Sequence, residues 1–226
     1  LNNSVIYFNI GQLYANYSNN IDSATYYFDR AIKLAPQSPV NDMIHANLGV
    51  LNHDNGKLNE ALEHYKIAER SNSKNDLLLF NYSMLLSDMG KNTEALEKIN
   101  RAIINNPRDP EYFNLKGSIL IDQSDFNNAE KTFIKAIEIN PNYGAPYYNL
   151  GYLNSKKENI REAIKYYNKA VALNFDLPAS LVNRALLKFK INQSDEACSD
   201  LNRAFQLGRT DIEPLIAKQC KLNISF

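Results

Sequence analysis

The residue types that most often carry chemistry are sparse in this 226-residue chain. His45, His53 and His64 are its three histidines. If His45 and His53 share a helix, their eight-residue separation puts them about 12 Å apart, too far to hold one metal ion. All three read as packing or surface histidines, and no metal or cofactor is expected. Cys198 and Cys220 are too few for a disulfide-built scaffold or a structural zinc site. No phosphate-cradling glycine loop, nucleophile elbow or paired metal-binding histidine motif occurs. Asp and Glu are plentiful, but no pair stands out. No catalytic residue is therefore assigned, and the chain reads as a non-enzyme. Asparagine is in excess, about 14% of the chain. Its side chain offers both a donor and an acceptor, so hydrogen bonding is the chemistry most available here. Composition alone reads equally well as polar residues spent on solvated faces.

Hydrophobic residues make up 44% of the chain and charged residues 22%, ordinary values for a folded protein. The formal net charge is zero, which removes the broad attraction that nucleic-acid binders use, so a nucleic-acid partner is not expected. No run of about 18 apolar residues occurs, and none of the chain should span a membrane. The opening LNNSVIYFNIGQ lacks a basic segment followed by an apolar stretch, so it is not an intact signal peptide. The compartment stays open between the cytoplasm and, if a signal or lipid anchor precedes Leu1, a bacterial periplasm or cell surface.

Small residues recur at a fixed interval of 34. One series is Ala61, Ala95, Ala129, Ala163 and Ala197; a second is Ala68, Ala102, Ala136, Ala170 and Ala204. A third is Gly49, Ser83, Gly117, Gly151 and Ala185. Gly11, Ala24 and Ala31 fit an earlier unit with one extra residue in its turn and three more before the next unit. Each unit divides into two stretches of helical periodicity around a polar turn such as DNGKLN or DMGKNT. Pro36, Pro107 and Pro141 close three units, and Pro110, Pro146 and Pro178 sit where a first helical turn needs no N–H donor. Where two helices cross closely, Gly or Ala lets the backbones approach. The large residue between the alanines (Phe28, Tyr65, Ile99, Phe133, Tyr167, Leu201) fills the space beside the crossing.

This pattern resembles the tetratricopeptide repeat, a 34-residue unit with an aromatic, Leu-Gly, Tyr, then Ala, Phe/Tyr, Ala and Pro. Tyr147, Leu150, Gly151, Ala163, Tyr167 and Ala170 match it well. The resemblance implies an all-α, right-handed α-solenoid, a single domain over residues 1–226. Its six helical hairpins would span about 4–38, 39–75, 76–109, 110–143, 144–177 and 178–211, with a capping helix at 212–226. Four residues depart from the pattern: Ser73 and Phe175 replace a closing proline, and Lys116 and Arg184 replace an apolar residue. They suggest local looseness or an exposed seam. The ending is similar to bacterial tetratricopeptide proteins with Ala-Cys in the last unit and a second Cys in the cap. That likeness leaves two readings open, two small buried thiols or a Cys198–Cys220 disulfide.

By the same resemblance, the face of each first helix turned away from the second lines a concave groove. Two residues before the glycine series stand Asn9, Asn47, Asn81, Leu115, Asn149 and Asn183. One position earlier come Phe8, Ala46, Phe80, Asn114, Tyr148 and Val182, and one after the glycine come Gln12, Val50, Met84, Ser118, Tyr152 and Leu186. Three residues before the Phe8 row stand Val5, Met43, Leu77, Glu111, Ala145 and Ala179, on the same stripe. An asparagine ladder among apolar and aromatic neighbours suits the backbone and side chains of an extended peptide. The expected peptide contacts are Asn9, Asn47, Asn81, Asn149, Asn183, Phe8, Phe80, Met84, Tyr148 and Tyr152. The competing reading is surface asparagines with no dedicated ligand. These rows lack the cations needed to clamp an acidic C-terminus. Asp54, Asp88 and Asp122 giving way to Lys156 and Lys190 suggest a charge gradient that could orient a peptide. The expected function is a protein-interaction scaffold binding a peptide or partner segment. Alternatives are a non-catalytic region of a larger enzyme or assembly and, less favoured, an RNA-binding helical repeat.

Overall fold

Helix boundaries follow local chemistry. Asn20, Asn75, Asp109 and Asp125 each accept a hydrogen bond from a first-turn backbone N–H through the side chain, satisfying a donor that the helix itself cannot. At the other end of each first helix the chain must reverse. Gly56, Gly90, Ser124, Glu158 and Asn192 all take φ between +60° and +72°. The residue after each donates its N–H back to the last helical turn, as in Lys57 to Asn52 and Asn159 to Asn154.

The computed structural model describes residues 3–18, 20–71 and 74–220. Among these it contains thirteen α-helices and no strand. They form two compact units that divide between Arg108 and Asp109. The first unit holds α1 (Asn3–Leu13), α2 (Ile21–Leu34), α3 (Val40–Asp54), α4 (Leu58–Ser71), α5 (Asp76–Asp88) and α6 (Asn92–Asn105). The second holds α7 (Pro110–Asp122), α8 (Phe126–Ile139), α9 (Gly144–Lys156), α10 (Ile160–Ala172), α11 (Leu177–Lys190), α12 (Ser194–Gln206) and α13 (Glu213–Gln219). Each unit is a stack of three helical hairpins. Within each unit odd and even helices pair, and the second helix of one hairpin packs on the first of the next. A π-helical turn at Tyr14–Ser18 follows α1. Its wider winding takes up an added residue without breaking the helix, beside the insertion in the first repeat.

Every alanine of the two series is fully buried, and the glycine row explains why. An added Cβ at Gly117 would stand 2.5 Å from the Phe133 ring; at Gly11 it would meet Phe28 at 2.7 Å, at Gly49 Tyr65 at 2.7 Å and at Gly151 Tyr167 at 2.9 Å. Ordinary carbon contacts begin near 3.5 Å. The other two hairpins carry Ser83 and Ala185 in this row, and there the filling residue is aliphatic, Ile99 or Leu201. Glycine thus sits wherever an aromatic ring crosses, and a Cβ returns wherever the ring is absent. Ser83 also donates its hydroxyl to the Ala95 carbonyl across the hairpin at 2.8 Å.

Two of the expected loose points are tight. Arg184 binds Asp200 through Nε and Nη2 at 2.8 and 2.6 Å and reaches Asn168 on α10 at 2.8 Å. Lys188 adds a third bond to Asp200, at 3.0 Å. Phe175 packs on Tyr148, and a Cβ on Gly144 would stand 2.4 Å from the Phe175 Cβ. The partners of these residues lie far off in sequence, which is why the departures looked like looseness. Lys116 is half-buried, and Ser73 lies outside the described residues. Of the expected cap at 212–226, residues 212–220 are described. A 3-10 turn at Thr210–Ile212 leads into α13, and the rest of the cap, 221–226, lies outside the described residues. Ile212, Ile216 and Cys220 join Leu181, Ala197 and Leu201 in one apolar cluster, covering the end of the second stack. Cys198 and Cys220 are joined there as a disulfide, with Cα atoms 5.5 Å apart.

Candidate functional site

In the first unit, the stripe Met43, Ala46, Asn47 and Val50 on α3 faces Leu77 and Asn81 on α5. Together with Gln12 and Tyr65 they line a pocket of about 140 Å³. Spacings of three and four residues bring these α3 side chains onto one face. Met43 and Leu77 remain about half exposed, at 48% and 58%, so the rim is apolar and open. Asn47 and Asn81 are half-buried on its walls.

Behind this stripe lies Tyr65, which sequence reasoning treated only as a core filler. It is 1% exposed and stacks on Tyr82 with ring centroids 5.5 Å apart. Its hydroxyl is buried with no hydrogen-bond partner among the described residues. Burial, with Asp54 nearby, pushes that hydroxyl well above its ordinary pKa of 10.0, so it stays a neutral donor. A tyrosine in a buried row that elsewhere carries Phe28 or Phe133 was the available signal, because a buried phenol usually finds a partner.

The second unit carries the same rows in a closed form. Asn149 donates to the Asn114 side-chain oxygen at 2.9 Å, and Asn183 donates to the Tyr148 hydroxyl at 3.0 Å. The Tyr148 ring stands edge-on to Tyr167 at 5.6 Å and touches Phe175 at 5.9 Å. These side chains therefore bind one another between successive hairpins. Tyr152 is 38% exposed, with Lys156 Nζ 5.3 Å above its ring.

The remaining expected contacts divide. Asn9 is exposed, Phe80 half-buried and Met84 37% exposed, all in the first unit. Phe8 is only 5% exposed and packs on Phe28. Its burial places it in the core and leaves little of its ring open to a ligand. Asp88, one of the graded charges, accepts a hydrogen bond from His53 Nε2 at 2.7 Å. His45 and His64 stack with Nδ1 atoms 3.0 Å apart. Among the described residues, no group of three or more His, Cys, Asp or Glu gathers to hold a metal. Nor is any described helix long and apolar enough to cross a membrane.

Stacked hairpins with this small-residue register define a class, and comparison with known proteins agrees. Models of the tetratricopeptide repeat match residues 10–76, 110–143 and 145–177. That is more than half of the sequence, and the chain belongs to the tetratricopeptide repeat family. A tetratricopeptide repeat protein from Parabacteroides merdae aligns with a TM-score of 0.77 at 24% identity, over 90% of this chain and 79% of that one. The pilF protein of Pseudomonas aeruginosa aligns at 0.78 and 22%, over 95% and 97%. YrrB, a tetratricopeptide repeat protein with an unusual peptide-binding site, aligns at 0.64 and 22%, over 79% and 90%. At such identities the likeness establishes the fold. No curated protein matches the chain.

Proposed function

We propose that this chain is a non-catalytic protein-interaction scaffold that holds an extended peptide segment along the α1, α3 and α5 face of its first unit. One observation carries the reading: the α3–α5 pocket gathers Asn47 and Asn81 with Met43, Val50 and Leu77 on a single open wall. Neither amide has a side-chain acceptor in the preceding hairpin at the position that Asn114 and Tyr148 occupy in the second unit, because Phe8 and Ala46 stand there. Both can therefore turn to a peptide backbone, whose alternating N–H and C=O groups match the two ends of an amide. The apolar rim supplies side-chain contact. YrrB lends family precedent for peptide binding on this fold.

The test is selection of random peptides on the whole chain, followed by Asn47→Ala and Asn81→Ala together. Selected peptides should bind the double variant about 5- to 10-fold more weakly, as expected for one or two lost hydrogen bonds, with an unchanged melting temperature. If no peptide is enriched, or if affinity survives both substitutions, the reading falls.

A further inference from the structure

The chain contains two versions of one arrangement. A shift of 102 residues, three repeats, carries Ala46 onto Tyr148, Tyr65 onto Tyr167, Asn47 onto Asn149 and Asn81 onto Asn183. In the second unit the Tyr148 phenol fills the space before Tyr167, ring edge-on and hydroxyl bonded to Asn183. In the first unit the position of that phenol is occupied by a methyl group. What remains is the pocket of about 140 Å³, with Ala46, Tyr65 and Asn81 on its walls; the Tyr65 ring stacks on Tyr82, where the second unit has Arg184, and its hydroxyl is buried without a partner among the described residues. A cavity of about 150 Å³ in another protein accommodates benzene, so one aromatic ring is the right size.

We propose that the α3–α5 pocket is a specificity pocket for a tyrosine side chain of the bound partner segment. The incoming ring would take the place that Tyr148 holds in the second unit, edge-on to Tyr65, with its hydroxyl between Asn81 and the Tyr65 hydroxyl. Phenylalanine would fill the space but leave both polar groups unmatched, and an aliphatic side chain would lose the edge-to-face contact as well. The assignment rests on the peptide-binding reading above, and it adds the chemistry of the residue that the site selects.

The experiment uses p-cresol, the tyrosine side-chain analogue, and toluene, the phenylalanine analogue, titrated into the full chain and followed by amide and methyl NMR shifts. p-Cresol should shift Ala46 and Asn81 saturably and bind about 5- to 10-fold tighter than toluene, the ratio expected of one added hydrogen bond. Ala46→Tyr, which installs the second unit's own filling, should abolish binding. Tyr65→Phe only removes an unpaired buried hydroxyl, so it keeps the fold and should shrink the p-cresol preference toward parity. Absence of p-cresol binding, or an unchanged preference in Tyr65→Phe, overturns the tyrosine assignment even if Ala46→Tyr fails to fold. Peptides selected on the chain separate this from the broader reading. Enrichment without tyrosine sinks the pocket's specificity alone, whereas no enrichment sinks peptide binding itself. A concentration-dependent dimer that Ala46→Tyr abolishes would overturn the partner peptide as occupant in favour of a second copy.

Discussion

Replacing Gly117 by alanine tests the packing rule at its tightest point. The new methyl carbon would stand 2.5, 2.7 and 2.8 Å from three atoms of the Phe133 ring, an overlap of about 1 Å with normal contact. Phe133 is fully buried, so the ring can yield only by moving its surroundings. Overpacking of this kind costs about 1–3 kcal/mol, while alanine returns about 1 kcal/mol over glycine inside a helix. With three atoms in overlap, the net loss should be about 1–2 kcal/mol, or roughly 2–8 °C in melting temperature. Phe133→Leu alone should cost roughly 1–2 kcal/mol, less than the 3–5 of truncation to alanine. The two together recreate the Ala185–Leu201 pairing that the sixth hairpin already uses, and should recover most of the loss. Urea unfolding followed by far-ultraviolet circular dichroism on all four proteins gives the coupling, expected at about 1–3 kcal/mol. If Gly117→Ala is as stable as the parent, or the two losses simply add, small residues are not set by ring size.

Other consequences are open to measurement. Glu158 holds φ at +60° where two sister turns have glycine, so Glu158→Gly should stabilise by about 0.5–1 kcal/mol in the same urea assay, and a loss would contradict the turn argument. Asp200→Asn leaves Arg184 and Lys188, only 14% and 12% exposed at the side chain, facing an uncharged partner; the expected cost is about 3 kcal/mol, and a cost under 1 would show the cluster to be dispensable. Burial holds the His45 and His64 imidazoles below their ordinary 6.5; the neighbouring histidine lowers His64 further, while Asp42 and Asp29 oppose the shift for His45 and Asp29 for His64. The unfolded chain then binds more protons below pH 6.5, so this pair lowers stability as pH falls from 7.5 to 5.5. His64→Phe should flatten that slope, and an unchanged slope would exclude the pair as its source.

The repeat, its hairpins and the burial of its small residues were legible because one steric requirement recurs at the same place in every unit, and recurrence is visible along a chain. The rule that glycine faces a ring was legible too, in the residue 16 or 17 positions further on, as with Gly49 and Tyr65 or Gly11 and Phe28. Arg184 and Phe175 were misread because what holds them, Asp200 and Gly144, obeys no repeat position. The pocket was half legible. Asn47, Asn81, Met43, Val50 and Leu77 fell on the expected stripe, but nothing along the sequence marks Ala46 as an opening. That meaning appears only against the packed ring of Tyr148, three repeats later, and only the folded structure leaves the Tyr65 hydroxyl without a partner among the described residues.

The most direct measurement is of intermolecular nuclear Overhauser effects from p-cresol bound to the full chain. A tyrosine pocket between α3 and α5 requires contacts from the cresol ring protons to the Ala46 methyl group and the Tyr65 ring, lost on Ala46→Tyr. Contacts confined to other residues, or the same contacts persisting in that variant, would contradict it.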